Sequence, residues 1–560
     1  MPREVITIQV GQCGNQIGCR FWDLILREHA HVSKGAVFDP ALSSFFQNVD
    51  SRFSDPVDLP VGDGTGPIRT LKARALLVDM EEGVINSLLT GPLAELFDTR
   101  QRITDVSGSG NNWAHGHHVY GPQYLDSIEE KLRKAAECCD SLQCFFLIHS
   151  LGGGTGSGFG SYILEHLENF FPEVFRFVAC VCPSKDDDVI TSPYNTILSL
   201  NSLINCAHCV LPISNDALAN ICNQIPSQGA QHSLMTLPQD ERSAPPRPPV
   251  AARERATEQQ PQRGRGRRAG AGSSSLPPTR APIQSSAAAA ASGGGHPGKV
   301  PLGAEKPFDR MNSLVAHLLN NLTSSMRFEG SLNLDLNEIT MNLVPFPRLH
   351  FLLPSMSPLH FGKDVRMISR GFQQTFSDVL TADNQLVNVD PRGSTYMALA
   401  FLVRGSATIA DVNQNIRRIR KNVKMLPYNE DAFKIGLCSV PPRDLPYSLL
   451  CLANSCAVHH LFNQNHRDFA RLYSKKAHLH HYTKFMEREL FDTASETVNS
   501  LIKDYIHLDM LQETPASCMS SPQVLGSGAG GSSSSLGPAA SLLFAPSAWS
   551  SSTAVRSGVQ

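Results

Sequence analysis

Apolar and polar positions alternate in blocks along the first part of the chain. Four apolar runs of strand length, VITIQV, RALLVDM, LQCFFLIHS and FRFVACVCP, are each followed by a polar or glycine-bearing turn and then by a segment of helical character. Runs this apolar suit strands that are buried on both faces, and their alternation with helices is typical of a parallel sheet covered by helices. We therefore predict a doubly wound, mostly parallel α/β domain over residues 1–226.

The pattern breaks off between residues 227 and 306. Proline, glycine, alanine, serine and arginine dominate this segment, and large apolar residues are almost absent. Such a composition cannot bury enough apolar surface to offset the entropy lost on ordering, so we predict a disordered insertion. Its basic stretch RGRGRR, Arg263–Arg268, is compatible with a nuclear-localisation or RNA-binding patch, but a solvated loop is the simpler interpretation.

Apolar periodicity returns after the insertion. Apolar residues recur every three or four positions from Met311 to Met326, which predicts a central core helix over residues 307–328. The runs LVPFPRLHFLLP, TYMALAFLVRG and FKIGLCSVPP predict strands of a second, intermediate α/β domain over residues 329–455. A helical region over 456–510 and a flexible Ser/Gly/Ala-rich tail over 511–560 complete the predicted α/β fold.

Composition narrows the class of protein. The 560 residues carry a formal net charge of −2, which gives no global field to attract nucleic acid or an anionic membrane. No apolar run approaches the roughly 20 residues of a membrane span. The 14 cysteines are interpreted as reduced, buried small hydrophobes. We therefore expect a soluble intracellular protein with neither membrane nor nucleic-acid partners.

The most specific motif is the glycine cluster in SLGGGTGSGFGSYILEHL, Ser150–Leu167, between a predicted strand and a predicted helix. This arrangement presents backbone N–H groups and the positive end of a helix dipole to an anion. Glycine at this density indicates that something approaches the main chain closely, and we predict a phosphate, with hydroxyl donors from Thr155 and Ser157. The lysine of a P-loop and the third glycine of a dinucleotide fingerprint are both missing. The alternative is a merely flexible loop.

Three further turns are expected at the same edge, because the carboxyl ends of parallel strands converge there. Asp79 and Glu81 end one strand and are spaced to hold a hydrated Mg²⁺, although two solvated carboxylates are the alternative. The histidine groups HGHH and HLHHY are interpreted as exposed loop or helix residues rather than metal ligands. The turns in GQCGNQIG and SGNNWAHGH are expected to contribute Gln12, Cys13, Gln16, Gly110 and Asn111 to the same site.

Five motifs now resemble one family. GQCGNQIG, SGNNWAHGH, GGGTGSGFGS, SPYN and RFEGSLNLDLNEITMNLVPFPRLHF resemble tubulin in the same order, across the chain apart from the insertion and the tail. RFWDLILREHA and SSFFQNVDSR resemble the epsilon branch rather than the alpha or beta branch. The resemblance implies a GTP-binding cytoskeletal protein of centrioles and basal bodies, located in the cytoplasm and centrosome, that joins microtubule-type lattices. Its implied partners are other tubulins, a delta-type tubulin among the candidates, and centriolar proteins.

The resemblance also implies the contacts of GTP or GDP. Asp79 and Glu81 would lie beside Mg²⁺ and the γ-phosphate. Two asparagines would read guanine, since an amide offers a donor and an acceptor together, and Phe308 would stack on the base. Ser192 replaces a ribose-binding glutamate, which leaves Asp188 in that loop. The implied nucleotide-binding residues are Gln12, Cys13, Gln16, Gly110, Asn111, Ser150, Gly152, Gly153, Gly154, Thr155, Gly156, Ser157, Gly158, Asp188, Asn215, Phe308 and Asn312.

The stretch GSLNLDLNEI bears on hydrolysis. Asp335 and Glu338 are three residues apart and would share a helix face, although an ordinary charged helix start capped by Asn333 is the alternative. The resemblance implies that Glu338, with Asp335, enters the nucleotide site of the next subunit, where a carboxylate orients and deprotonates the attacking water. We therefore expect assembly-dependent GTP hydrolysis completed in trans. The alternative is a nucleotide-locked structural protein of the centriole that neither polymerises nor hydrolyses.

Overall fold

The fold is taken from a computed structural model of the chain. It describes residues 3–33, 37–38, 40–50, 57–59, 61, 68, 70–185, 187–225, 308–328, 330–359, 371–429, 432–443 and 445–510. The predicted insertion over 227–306 and the predicted tail over 511–560 lie outside these described residues.

The first sheet has six strands, and every neighbouring pair is parallel. In space the strands follow the order β6-β5-β1-β7-β8-β9, so β1 lies near the centre. Their bounds are β1 Glu4–Val10, β5 Ala75–Asp79, β6 Arg102–Thr104, β7 Leu142–Ser150, β8 Phe175–Cys182 and β9 Cys209–Ser214. Each apolar run that predicted a strand in this half of the chain forms one.

Helices cover both faces of this sheet. Successive strand residues point to opposite faces, so Ile6 and Ile8 pack into one apolar core while Val5 packs into the other. The predicted doubly wound α/β architecture is confirmed. The helices of this half are α1 Gly11–Val32, α2 Glu82–Leu89, α3 Gly121–Glu137, α4 Gly160–Phe170, α5 Ser192–Cys206 and α6 Asn215–Gln224.

A small antiparallel sheet, which the apolar pattern did not predict, lies beside this half. It has the order β3-β2-β4, with β2 Phe46–Asp50, β3 Val57–Leu59 and β4 Leu71–Ala73.

The central helix α7 spans Asp309–Arg327 and packs against α1. Its last turn carries a buried ion network, in which Oε2 of Glu28 lies 3.3 Å from Nη2 of Arg327 and 3.1 Å from Nη2 of Arg404. Burial opposes the charged carboxylate, but the two guanidinium groups outweigh it and hold the pKa of Glu28 below its usual value. The network therefore ties α1, α7 and the second sheet together through one carboxylate.

The second sheet has the order β10-β13-β11-β12, in which only β11 and β12 are parallel. The prediction of a strand along LVPFPRLHFLLP is wrong for most of its length, because that run begins at the end of a helix and two of its prolines, Pro345 and Pro347, precede the strand. The elements are α8 Leu336–Leu343, β10 Leu353–Ser357, α9 Phe372–Asp378, β11 Tyr396–Gly405, α10 Ile409–Arg420, β12 Phe433–Cys438 and β13 Tyr447–Ser455.

Two long helices end the described chain, α11 over His459–Ser474 and α12 over Glu489–Met510. Both pack against α5, which itself begins beside the glycine cluster. We call the residues that join them, 475–488, the connector. No helix of the described chain is long and apolar enough to cross a membrane.

Candidate nucleotide site

The glycine cluster forms a loop at the carboxyl end of β7. We call residues 150–158 the glycine loop; its last part is a wide helical turn, Thr155–Phe159, that leads directly into α4. The backbone N–H groups of residues 153–157 donate to no acceptor among the described residues. The sequence therefore places a row of free N–H donors at the start of a helix, as an anion requires.

Neighbouring backbone explains several of the glycines. A Cβ atom at Gly158 would lie 2.2 Å from the carbonyl oxygen of Trp113, and one at Gly154 would lie 2.5 Å from the nitrogen of Asn112. Gly153 differs, because its nearest neighbours would be 3.7 Å and 3.9 Å away. The expectation that a ligand excludes the side chains is therefore wrong for Gly154 and Gly158, where the protein itself does so, while the Gly153 side of the loop is open.

Close packing also joins β1 to the glycine loop. Gly11 has a φ of +73°, and a Cβ atom there would lie 2.9 Å from the nitrogen of Gly156. Only glycine fits both the left-handed conformation and this approach. The first turn of α1, which follows β1 directly and carries the exposed Gln12 and the half-buried Cys13, is thus held against the glycine loop.

The two hydroxyls of the loop point in different directions. Ser157 is fully buried, and its Oγ donates to the carbonyl oxygen of Gly153. The prediction that this hydroxyl serves a phosphate is therefore wrong, since its hydrogen is used inside the loop. Thr155 is half-buried, and its Oγ1 lies 3.1 Å from Oγ of Ser109 in the turn that follows β6. That turn also carries the predicted Gly110 and Asn111, both exposed, with a φ of +60° and +54°.

Asp79 has the properties of a cation ligand. Its side chain is buried at the end of β5, and Oδ2 accepts no hydrogen bond from any described residue. Burial raises the pKa of Asp79 to about 6, although Oδ1 accepts a hydrogen bond from the backbone N–H of Glu81 at 3.4 Å. Glu81 is exposed, and its Oε1 occupies the space beside Gly108, in the turn that contacts Thr155.

These two carboxylates fit Mg²⁺, which keeps several waters and takes one or two carboxylates plus substrate phosphates. The described residues include no group of three or more histidine, cysteine, aspartate or glutamate side chains that could hold a metal ion without such help.

The residues predicted for the base and the ribose lie around α1, α5 and α7. Nδ2 of Asn312 lies 3.3 Å from Oε1 of Gln16, which joins two predicted residues. Phe308 precedes α7 with a φ of +68° and is 53% exposed, so its ring is available for stacking. Asn215 is the first residue of α6, directly after β9. Asp188 is exposed.

Two neighbours of the ribose loop point inward. Ser192 is buried at the start of α5, and its Oγ donates to the carbonyl oxygen of Gly152 at 3.4 Å. Burial and the nearby carboxylate of Asp187 raise the pKa of the Cys13 thiol to about 12, so this thiol stays protonated at neutral pH. Ser192 supports the glycine loop through its hydrogen bond to the carbonyl oxygen of Gly152.

Asn195 is a site residue that the motif SPYN contains and that sequence reasoning did not single out. Its Nδ2 donates to the carbonyl oxygens of Gly152 at 2.8 Å and Asn111 at 2.9 Å. Its Oδ1 accepts from the backbone N–H of Trp113 at 3.0 Å and from the hydroxyl of Tyr482 at 2.6 Å. One fully buried amide thus fixes the glycine loop, the turn after β6 and the connector.

The helix predicted to act in trans begins at a different residue, and with a different cap, from those expected. Helix α8 begins at Leu336, and Asp335 is its N-cap, accepting a hydrogen bond from the backbone N–H of Glu338 at 2.6 Å. Asp335 is also buried and paired with Arg3. The predictions that the two carboxylates share a helix face and that Asn333 is the cap are therefore wrong. Asp335 holds α8 in place, and Glu338 alone presents its carboxylate, which lies 3.3 Å from Nζ of Lys434.

The histidines and cysteines carry no metal site in the described chain. His117 is half-buried, stacks on Trp113 and lies 3.0 Å from Glu165, so the prediction that the HGHH residues are exposed is wrong. The spacing of Cys206 and Cys209 is that of a C-x-x-C pair, but both side chains are buried and burial raises the pKa of each thiol. They are core residues, as predicted, but the prediction does not hold for every cysteine, because Cys138 is exposed.

A six-stranded parallel sheet with a glycine loop, an acidic pair and two amides at its carboxyl edge is typical of a nucleotide-binding α/β protein. The chain belongs to the Tubulin/FtsZ family. It matches the family model described as "Tubulin/FtsZ family, GTPase domain" over residues 4–223 and that described as "Tubulin C-terminal domain" over residues 347–467.

Among curated proteins, the chain is similar to the protein called "Tubulin epsilon chain" in two mammals. It is 47% identical over 518 residues to the one from Homo sapiens, and the match covers 91% of this chain and 97% of that protein. The figures are the same for the one from Mus musculus. The resemblance read from the five motifs is thereby confirmed.

Proposed function

We propose that the chain is a GTP-binding tubulin of centrioles and basal bodies that joins microtubule-type lattices, with hydrolysis completed by the next subunit. The observation that carries the nucleotide part is the row of unengaged N–H groups over residues 153–157 at the start of α4. Tubulin-family membership supports guanine as the base, and Asn312, paired with Gln16, offers the donor and acceptor that guanine requires.

Mg²⁺ would be held by Asp79, whose buried Oδ2 has no hydrogen-bond donor among the described residues, together with Glu81. The ion would neutralise charge on the phosphates during transfer to water. The chain's own residues bind and orient the nucleotide. In this proposal, no residue around the glycine loop acts as the base for the attacking water.

The missing base is proposed to come from the neighbouring subunit. Glu338 is 40% exposed on the side of α8 that also bears the exposed Met341, so a longitudinal neighbour can reach it. A carboxylate in this position can orient and deprotonate water, which accounts for turnover only in the assembled state. Longitudinal and lateral neighbours are proposed to be other tubulins, with a delta-type chain among them, at centriolar structures of the cytoplasm.

One observation favours the second function, a nucleotide-locked structural protein. The ion pair between Glu338 and Lys434 engages the carboxylate within its own subunit. If it persists on assembly, bound GTP stays intact.

The test separates the two functions in steps. Nucleotide released from the denatured, purified chain should be GTP or GDP, and its absence would overturn both proposals. Phosphate release should then begin with assembly and disappear in Glu338→Ala while GTP affinity is unchanged. Asn342→Ala, one turn further along the exposed face of α8, is the matched control and should retain turnover. Assembly of the wild-type chain without phosphate release would support the locked structural protein.

A further inference from the structure

The connector between α11 and α12 touches the nucleotide site through four contacts of hydrogen-bond length, of which the longest is the 3.5 Å contact from the hydroxyl of Tyr482 to the carbonyl oxygen of Thr191. The hydroxyl of Tyr194 donates to the carbonyl oxygen of Ala477 at 2.8 Å, and Nδ2 of Asn112 donates to that of His481 at 2.9 Å. The third bond is the one from the hydroxyl of Tyr482 to Oδ1 of Asn195. Side chains of α5 and of the turn after β6 therefore hold a segment that lies 283 to 369 residues further along the chain.

Asn195 is the centre of this arrangement. Its amide donates two hydrogen bonds and accepts two, which is the full hydrogen-bonding capacity of an asparagine side chain. Because the donors face carbonyl oxygens and the acceptor faces an N–H and a hydroxyl, only one orientation of the amide satisfies all four. A rotation of the amide by 180° would turn its oxygen toward the carbonyl oxygens of Gly152 and Asn111 and its NH₂ group toward the N–H of Trp113, so these three bonds would be lost together.

The bonds of Asn195 lead to two different environments, the glycine loop at Gly152 and the connector at Tyr482. Gly152 lies in the glycine loop, one residue before the first of the free N–H groups, so a phosphate that orders this loop also orders the acceptor of Asn195. Tyr482 is fully buried, and three residues later Phe485 is 38% exposed. Within three residues the connector thus passes from the buried bond to Asn195 to a side chain that solvent reaches.

We propose that Asn195 is a positioning residue for the nucleotide loops and that Tyr482 couples nucleotide occupancy to the order of the connector, residues 475–488. This inference rests on the proposed binding of GTP at the glycine loop. Coupling of this kind is reciprocal, so loosening the connector must weaken nucleotide binding by the same factor by which nucleotide orders the connector. The exposed part of the connector then differs between the occupied and empty states.

The experiment measures both directions in the full chain. Hydrogen exchange of backbone N–H groups in residues 475–488 is followed with and without GDP and Mg²⁺, and GTP affinity is measured by equilibrium titration. Tyr482→Phe removes only the hydroxyl that reaches Asn195. Tyr473→Phe is the matched control, because its hydroxyl donates to Oδ1 of Asp492 at 2.7 Å and accepts from Nε of Arg488 at 3.1 Å, at the end of the connector, and within the described chain it makes no bond to the nucleotide loops.

In the wild-type chain, nucleotide should slow exchange in the connector several-fold. Tyr482→Phe should lose most of that nucleotide-dependent difference and bind GTP about three- to tenfold more weakly, whereas Tyr473→Phe should keep both properties. Asn195→Asp retains the acceptor but replaces the donating NH₂ group, and it should weaken GTP binding more than tenfold. If Asn195→Asp does not fold, Tyr482→Phe alone decides.

A purely structural role for Tyr482 would lower thermal stability but leave the exchange difference intact, and that result would overturn the coupling. Equal GTP affinity of Tyr482→Phe and wild type would do the same. Failure of the wild-type chain to bind any guanine nucleotide would instead refute the proposed function itself, so the two failures are distinguishable.

Discussion

Nζ of Lys434 on β12 lies 3.3 Å from Oε2 of Glu338 on α8, and both side chains are partly exposed. The pair connects the helix proposed to act in trans with the second sheet of its own subunit. Asp335 fixes the start of the same helix through its cap bond to the backbone of Glu338. Glu338 is thus oriented from two directions before any neighbour arrives.

Replacing Lys434 by methionine should slow assembly-dependent phosphate release about three- to tenfold without changing GTP affinity. The reason is that the ammonium group limits the directions in which the carboxylate points, and orientation of a general base contributes to its rate. Because the pair is partly exposed, the loss of folding free energy should be within about 1 kcal/mol. Lys434→Arg keeps the charge and should remain close to wild type. Faster phosphate release in Lys434→Met would show instead that the pair restrains Glu338 from acting.

Three glycine substitutions separate the needs of folding from those of binding. Gly153→Ala meets no atom closer than 3.7 Å, so the empty protein should keep its thermal stability, while the added methyl group beside the free N–H groups should weaken GTP binding at least tenfold. Gly158→Ala would meet the carbonyl oxygen of Trp113 at 2.2 Å and should destabilise the fold by ~1–3 kcal/mol.

Gly83→Ala is the control for both variants. It lies in α2 with no atom within 4 Å of the added Cβ and should raise the free energy of unfolding by ~0.5–1 kcal/mol, without an effect on nucleotide. Chemical denaturation and GTP titration of the three variants test the assignment of the loop. Wild-type affinity in Gly153→Ala would place the phosphates elsewhere.

The parts of the fold that the sequence predicted are those in which local pattern and tertiary burial agree. The apolar runs of the first half became strands, and the stripe from Met311 to Met326 became α7, because both signals depend only on residues close in the chain. The strand predicted along LVPFPRLHFLLP formed only at its end, where β10 begins, since a helix end and two prolines occupy the earlier part of the run. Strand order and the network around Glu28 depend on contacts hundreds of residues apart, which no local pattern contains.

The site shows the same division. The glycine loop and the acidic pair were predicted, because their residue types are unusual at those spacings. The direction of the Ser157 hydroxyl was not, since a serine in a loop bonds backbone or ligand equally well and only the fold decides. Asn195 was missed because a single asparagine near a helix start is unremarkable. Asp335 and Asn333 are equally good caps by residue type, so the choice between them came from packing.

Buried histidines predict that the protein loses stability in mild acid. Burial lowers the pKa of His149, His208 and His350 to about 4 and that of His29 to about 3. An unfolded histidine takes up a proton near pH 6.5, so between pH 6.5 and 4 the unfolded chain binds more protons, and the free energy of unfolding falls as pH falls. Each such histidine contributes up to about 1.4 kcal/mol per pH unit in this window.

Urea unfolding at pH 5, 6, 7 and 8 measures this dependence. The free energy of unfolding should be constant above pH 7. Between pH 6 and 5 it should fall by more than the contribution of a single histidine, which is at most about 1.4 kcal/mol per pH unit. His350→Gln should reduce that slope by about one proton. A stability that does not vary between pH 5 and 8 would contradict the buried neutral state of these rings.

Asp79→Asn tests the cation site. In the empty protein the neutral amide avoids the cost of burying a carboxylate whose Oδ2 has no donor among the described residues, so we expect equal or higher thermal stability than wild type at pH 7.5. With GTP present, Mg²⁺ should raise the melting temperature of wild type above its value in EDTA, and this increase should disappear in Asp79→Asn. Glu82→Gln changes an exposed carboxylate three residues away and should retain the full increase. An undiminished Mg²⁺ effect in Asp79→Asn would remove Asp79 from the ligand set and leave its buried oxygen without an explanation.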